Sequence, residues 1–176
     1  MASLTPRQFA KALLKAGGYP ASENNIGTLV TWMAQEGGHW ANSAWYNPLN
    51  TSQRMPGDHP AVGFIPAYTS WDQGIAATLK TINYGAYKNI RAALAASEPP
   101  ASAFQAINAS PWTGTPPTPY PSNNPANHDA YANRTDPHPG ALSFALSAPW
   151  FLQGTALAAV GGLALAAGYY LYEKAK

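Results

Sequence analysis

The sequence predicts a mainly α-helical domain with a loop-lined cleft, followed by a proline-rich linker and one C-terminal transmembrane helix. Apolar residues recur at helical spacing in several segments of residues 6–108. Residues 110–147 instead hold eight of the 17 prolines. Residues 150–172 form an apolar stretch of about 23 residues, where about 20 suffice to cross a bilayer. The predicted boundaries are 1–115 for the domain, 116–147 for the covering segment and linker, 148–172 for the anchor and 173–176 for a charged tail.

Capping residues and apolar spacing predict the helices in order. The first helix opens at Thr5-Pro6, an N-cap followed by proline at the first helical position, and ends at Gly17-Gly18. After the second helix, residues 42–67 are too rich in Asn, Pro, Gly and Ser for helix, so a loop is predicted, with a short strand or hairpin at Val62–Tyr68. Three further helices are predicted over Trp71–Asn83, Tyr87–Ala96 and Ser102–Asn108.

The second helix places an acid at the edge of the predicted core. Ser22 can cap this helix, and Glu36 lies near its end on the face that carries the apolar residues. That face is formed by Ile26, Leu29, Val30 and Met33. Gly37-Gly38 follows at once and ends the helix, since glycine adopts left-handed backbone angles at low cost. A partly desolvated carboxylate in this position is a candidate general acid with a raised pKa, and the alternative is a surface Glu in an ordinary last turn.

Composition excludes several classes of function. The net charge is +2 and only 10% of residues are charged, so no polybasic surface predicts nucleic acid as a partner. The absence of cysteine excludes a disulfide framework and a thiolate metal site. The four histidines form no close metal-binding pair, and neither a metal nor another cofactor is expected. The N-terminus lacks the apolar core that a secretory signal requires.

Four motifs follow one another along the first part of the chain. They are Gln35-Glu36-Gly37-Gly38 at a helix end, Asn47–Thr51 in the loop, Tyr68–Ile75 at a helix start, and Ile107–Trp112. In this order, over roughly the first 115 residues, they resemble the lysozyme-like superfamily, specifically the phage peptidoglycan hydrolases of the lytic transglycosylase and glucosaminidase type. The resemblance implies a lysozyme-like helical domain that cleaves the MurNAc-GlcNAc glycosidic bond.

The resemblance implies a proton donor at the scissile bond. Glycosidic cleavage needs a proton for the leaving oxygen, and Glu36 would supply it. In a lytic transglycosylase the same residue then takes the proton of the sugar's own 6-hydroxyl, whereas a hydrolytic muramidase would use a second acid. Asp58 and Asp72 are the candidates, although Asp58 also fits a turn and Asp72 the first turn of a helix. His39, close to the acid in sequence, is expected to be a solvated loop residue.

Neutral side chains near the acid are predicted to contact the sugar. They can bind hydroxyl and N-acetyl groups without burying a charge. Asn50, Thr51 and Tyr68 are assigned this role, and Tyr68, which matches the tyrosine that stands close to the acid in the family, is also a candidate catalytic residue. Trp45 and Tyr46 could stack on sugar faces, with packing in the core as the alternative for each.

The C-terminal stretch has the features of a single membrane anchor. Residues 137–172 contain no Asp, Glu, Lys or Arg, and Trp150-Phe151 and the tyrosines at 169, 170 and 172 flank the apolar stretch as an aromatic belt would. Small residues recur every four positions, which allows close helix packing and self-association. They are Gly154, Ala158, Gly162 and Ala166.

The combination of these features predicts a component of a phage virion with an internal membrane. The enzyme would degrade peptidoglycan locally and open the host cell wall during genome entry. Its expected partners are peptidoglycan, the lipid bilayer and other virion proteins, and the host membrane is a further location during assembly. The alternative is a non-catalytic structural virion membrane protein whose lysozyme-like domain binds capsid or glycan.

Overall fold

The computed structural model describes residues 4–113, 120 and 131–134. This part of the chain is mainly helical with little sheet, which confirms the predicted fold class at that level. The helices are α1 (Pro6–Gly17), α2 (Glu23–Glu36), α3 (Trp71–Ile82), α4 (Lys88–Ala96) and α5 (Pro100–Asn108), and the strands are β1 (His59–Val62) and β2 (Ile65–Ala67). Two short 3₁₀ helices cover Gly85–Tyr87 and Pro111–Thr113.

Local capping chemistry sets the ends of α1 and α2. The Thr5 hydroxyl accepts a hydrogen bond from the Gln8 main-chain N–H, and the Thr5 N–H donates to the Gln8 side chain, which completes a capping box. Ser22 caps α2 through its side chain. Gly18 and Gly37 have φ angles of +72° and +61°, the left-handed geometry that ends a helix. Both helices therefore begin and end where the sequence predicts.

The later helices differ from the predicted bounds by one or two residues. α3 begins at Trp71, and its N-cap Ser70 accepts from the main chain of Gln73, as the sequence predicts. α5 begins at Pro100, two residues before the predicted start. Proline causes this difference because its fixed φ angle suits the first helical turn, where no intrahelical N–H bond is needed.

The long loop between α2 and α3 contains a two-stranded antiparallel hairpin. His59 pairs with Ala67 and Val62 with Ile65, and the turn contains Gly63 with a φ angle of +56°. The hairpin predicted within Val62–Tyr68 is therefore present, but its first strand begins earlier in the chain.

The core lies between the helices. α1 packs against α2 and α3, and α5 packs against α2 and α4. The predicted apolar face of α2 is fully buried, and aromatic side chains of α1 and α5 meet it in the same cluster. Tyr131 and Ala132 from the proline-rich segment join this core, and Tyr120 packs against it. The described residues of that segment therefore contact the helical domain both at Tyr120 and at Tyr131-Ala132.

None of the helices in the described part of the chain is long and apolar enough to cross a membrane. The predicted anchor at 148–172, with its stripe of small residues and its charged tail, lies outside the described residues.

Candidate active site

Glu36 is the last residue of α2 and is partly buried. Its Oε1 atom accepts two hydrogen bonds, from Trp112 Nε1 at 2.6 Å and from the Tyr120 hydroxyl at 2.6 Å. In the described part of the chain, no donor bonds Oε2. The two carboxylate oxygens therefore have different surroundings.

The pKa of Glu36 is raised to about 7, chiefly because burial disfavours the charged form. Hydrogen bonds from Tyr120 and Trp112, together with the nearby Trp32 indole, lower the pKa and only partly offset this burial. Near neutral pH the side chain is therefore partly protonated, as a general acid must be. Because both donors occupy Oε1, the proton of the neutral acid belongs on Oε2.

The predicted sugar-binding residue Asn50 lies directly against the acid's backbone. Its side-chain Nδ2 donates to the main-chain oxygen of Glu36, and its Oδ1 accepts from Asn42 Nδ2 at 3.2 Å. Asn50 also has a φ angle of +48°, a left-handed conformation that asparagine tolerates better than most residues. It thus satisfies a carbonyl at the C-terminal end of α2 and holds the loop against that end.

A buried asparagine organises the same loop. The Asn47 side chain donates to the main-chain oxygens of Thr51 and Pro66, both at 2.9 Å, and accepts from the Thr51 N–H at 3.0 Å. The sequence marks Asn47 only as part of a motif, and no local pattern indicates this role. The hydroxyl of Thr51 lies 2.6 Å from that of Thr81 in α3 and is buried, so its placement supports loop packing rather than sugar contact.

Two glycines let this loop pack closely, Gly38 against the loop's own backbone and Gly74 of α3 against the loop. A Cβ atom at Gly38 would overlap the main-chain oxygens of Asn47 and Pro48, and one at Gly74 in α3 would overlap that of Tyr46. The loop is therefore fixed both beside the end of α2 and against α3, which sets its position relative to Glu36.

The buried Tyr68 side chain takes no part in the hydrogen bonds of the Glu36 carboxylate. Its hydroxyl donates to the main-chain oxygen of Gln53 at 2.7 Å, and burial raises its pKa well above the ordinary value. The tyrosine that bonds the Glu36 carboxylate is Tyr120, from the proline-rich segment. No local sequence pattern marks Tyr120 as a partner of the acid.

The two candidate second acids occupy structural positions. Asp58 Oδ1 accepts from Arg54 Nη2 at 2.6 Å, and Oδ2 accepts from the Met55 N–H at 2.8 Å. This arrangement is that of a turn residue with both oxygens engaged. Asp72 is exposed in the first turn of α3, where a carboxylate favours the positive end of the helix dipole.

His39 is buried, with 1% of its surface exposed, so the expectation of a solvated loop residue is wrong. Its Nδ1 accepts from the Tyr46 main-chain N–H at 2.7 Å. Aromatic rings surround the imidazole and exclude water from it; they belong to Trp40, Trp45, Tyr46 and Trp71. Trp45 and Tyr46, the predicted stacking residues, remain partly exposed.

Within the residues that the structure describes, no cluster of three or more His, Asp or Glu side chains could hold a metal ion. Comparisons of the chain with protein-family models, with curated proteins and with solved structures find no match.

Proposed function

We propose that the protein is a peptidoglycan-degrading enzyme that cleaves the MurNAc-GlcNAc glycosidic bond with Glu36 as its general acid. The observation that carries this proposal is the Glu36 carboxyl at the end of α2, with a pKa near 7 and one oxygen held by two aromatic donors. The other carboxyl oxygen, Oε2, is therefore the one that would carry the proton for the leaving oxygen of the sugar. The resemblance of four motifs to those of phage peptidoglycan hydrolases of the lytic transglycosylase and glucosaminidase type supports the choice of substrate.

Of the two mechanisms, the one-acid route of a lytic transglycosylase has the better support. In the described part of the chain, both Asp58 oxygens accept hydrogen bonds and Asp72 is exposed at a helix start, which supports structural roles for these two acids. Glu36 would first give its proton to the leaving 4-oxygen. As a carboxylate it would then take the proton of the MurNAc 6-hydroxyl as that oxygen bonds to C1, which closes a 1,6-anhydro ring.

Clearing of a peptidoglycan suspension tests the enzymatic proposal. The full-length chain, purified in detergent, should reduce the turbidity of the suspension at catalytic concentrations. The alternative function, a structural virion membrane protein whose domain binds capsid or glycan, predicts sedimentation of the chain with peptidoglycan or capsids but no loss of turbidity.

The rate of cleavage should fall as the pH rises through about 7, because the acid form of Glu36 is the active one. A Glu with its ordinary pKa of 4.5 would lose the acid form at much lower pH. The measurement is kcat/KM on soluble peptidoglycan fragments from about pH 3 to about pH 9, which covers both pKa values. An alkaline limb near the ordinary pKa, or a rate that rises across this range, would contradict the assignment of Glu36.

The same proposal places the enzyme in an internal virion membrane, held by residues 148–172 as a single C-terminal anchor. The support for this anchor is a long apolar stretch without charged residues, which aromatic residues flank in the sequence. The full-length chain should partition into a detergent phase, and a version lacking residues 148–176 should stay in the aqueous phase. Identical partitioning of the two would show that the anchor assignment is wrong.

A further inference from the structure

The last residue of α5 binds the proline-rich segment through its side chain. Asn108 Nδ2 donates to the main-chain oxygen of Tyr120 at 3.0 Å, and Asn108 Oδ1 accepts from the Tyr120 N–H at 2.8 Å. One amide thus satisfies both main-chain groups of a residue that lies 12 positions further along the chain. This pair fixes the backbone of Tyr120 relative to α5.

The fixed backbone brings the Tyr120 hydroxyl to the acid. That hydroxyl donates to Glu36 Oε1, next to the bond from Trp112 Nε1. The two donors are held by different contacts. The Trp112 indole packs edge-on against Trp32 at 4.6 Å between ring centroids, whereas Tyr120 depends on the Asn108 amide for its main-chain bonds.

We propose that Asn108 is a positioning residue for the acid and acts through Tyr120. By holding the Tyr120 main chain, it keeps the Tyr120 hydroxyl on Oε1 of Glu36 and leaves Oε2 to carry the transferable proton. The inference rests on the proposed function, because the acid that is positioned is the one assigned to cleavage. It also makes part of the proline-rich segment a component of the site.

The groups around Glu36 allow a change in its pKa to be measured without interference from other titrating side chains. Among the described residues, Tyr120 and Tyr131 are the titratable groups whose pKa values respond to Glu36, and burial raises both pKa values well above the ordinary one. Both hydroxyls are therefore neutral over the range in which Glu36 titrates. No charged side chain of the described residues contributes to the Glu36 pKa. Loss of the Tyr120 donor should therefore raise that pKa, because the bond stabilises the carboxylate more than the neutral acid.

The test is an NMR titration of the Glu36 side-chain carboxyl carbon in the full-length protein in detergent micelles. It compares the wild type with Tyr120→Phe, Asn108→Ala and the double variant. Each single substitution should raise the Glu36 pKa by about one unit, the size expected for one hydrogen bond to a charged group. The double variant should show no further rise beyond Tyr120→Phe alone, because Asn108 acts through the missing hydroxyl.

Matched controls remove similar groups elsewhere. Tyr84→Phe deletes a hydroxyl that bonds the Gln53 side chain, and Asn24→Ala deletes an amide that bonds the Ser97 main chain. Neither should change the Glu36 pKa. If Asn108→Ala fails to fold, as judged by circular dichroism, Asn108→Leu replaces it, because leucine has a similar shape without the polar atoms.

An unchanged pKa in Tyr120→Phe would overturn the proposal. So would a double variant in which Asn108→Ala adds its full effect, since Asn108 would then act independently of Tyr120. The titration does not depend on catalysis. A chain that shows the coupling but releases no sugar product would therefore refute the proposed function and leave the positioning role intact.

Discussion

Replacing Glu36 with glutamine should reduce peptidoglycan cleavage about 1,000-fold or more, within the range that general acid catalysis contributes. Glutamine keeps the shape of the side chain, and its Oε1 can still accept from Trp112 and Tyr120. The amide carries no proton that it can transfer to a leaving oxygen. The measurement is the initial rate of turbidity loss by the full-length variant beside the wild type.

Stability separates loss of chemistry from loss of fold in this variant. Burial raises the Glu36 pKa above its unfolded value, so the native state holds a proton that the unfolded state releases, and stability falls as the pH rises from about 4.5 through about 7. Glutamine has no charge to bury, and Glu36→Gln should therefore be more stable than the wild type above that range. Glu98→Gln, in the loop after α4, is the matched control and should keep full activity. A Glu36→Gln protein that is folded and active would show that another group donates the proton.

Replacing Gly74 with alanine should lower the free energy of unfolding by about 2 kcal/mol or more. In an ordinary helix the change from glycine to alanine stabilises the folded protein by roughly 0.5–1 kcal/mol. The sign of the change in unfolding free energy therefore distinguishes the two cases. The reason is the Tyr46 main-chain oxygen, which occupies the place that the new Cβ atom needs. Either α3 or the loop between α2 and α3 must therefore move. The same loop also bonds the end of α2.

Urea denaturation followed by tryptophan fluorescence measures this effect. Gly85→Ala is the matched control, since a Cβ atom there meets nothing within 4 Å and Gly85 lies in a short 3₁₀ helix. It should leave stability within about 0.5 kcal/mol of the wild type. Equal stability of Gly74→Ala and the control would mean that the loop does not pack against α3 as described.

Much of the helical framework could be predicted because its signals are local. Thr5, Ser22 and Ser70 each cap the helix that begins at the next residue, by accepting a bond from the main-chain N–H three positions further on. Gly37 ends α2 immediately after the acid. Apolar spacing along α2 likewise gave the buried face correctly. Such signals need no knowledge of the rest of the fold.

The partners of the acid could not be predicted in the same way. Trp112 and Tyr120 lie 76 and 84 residues from Glu36, and a contact over that distance leaves no periodic pattern in the sequence. The prediction for His39 is wrong for a related reason. Its position close to the acid in sequence predicts a solvated loop residue, but the surrounding aromatic residues converge on it only once the loop has folded.

Mass spectrometry of the sugar products tests the central claim most directly. The full-length chain and Glu36→Gln would each be incubated with peptidoglycan, and the soluble fragments would be analysed. Anhydro-muramyl ends from the wild type that vanish in Glu36→Gln are the predicted result, and they would establish a lytic transglycosylase with Glu36 as its acid and base. Reducing muramic ends would indicate a hydrolase with a second acid and contradict the one-acid mechanism. The same products from both proteins, or none from either, would contradict the assignment of Glu36 as the catalytic acid.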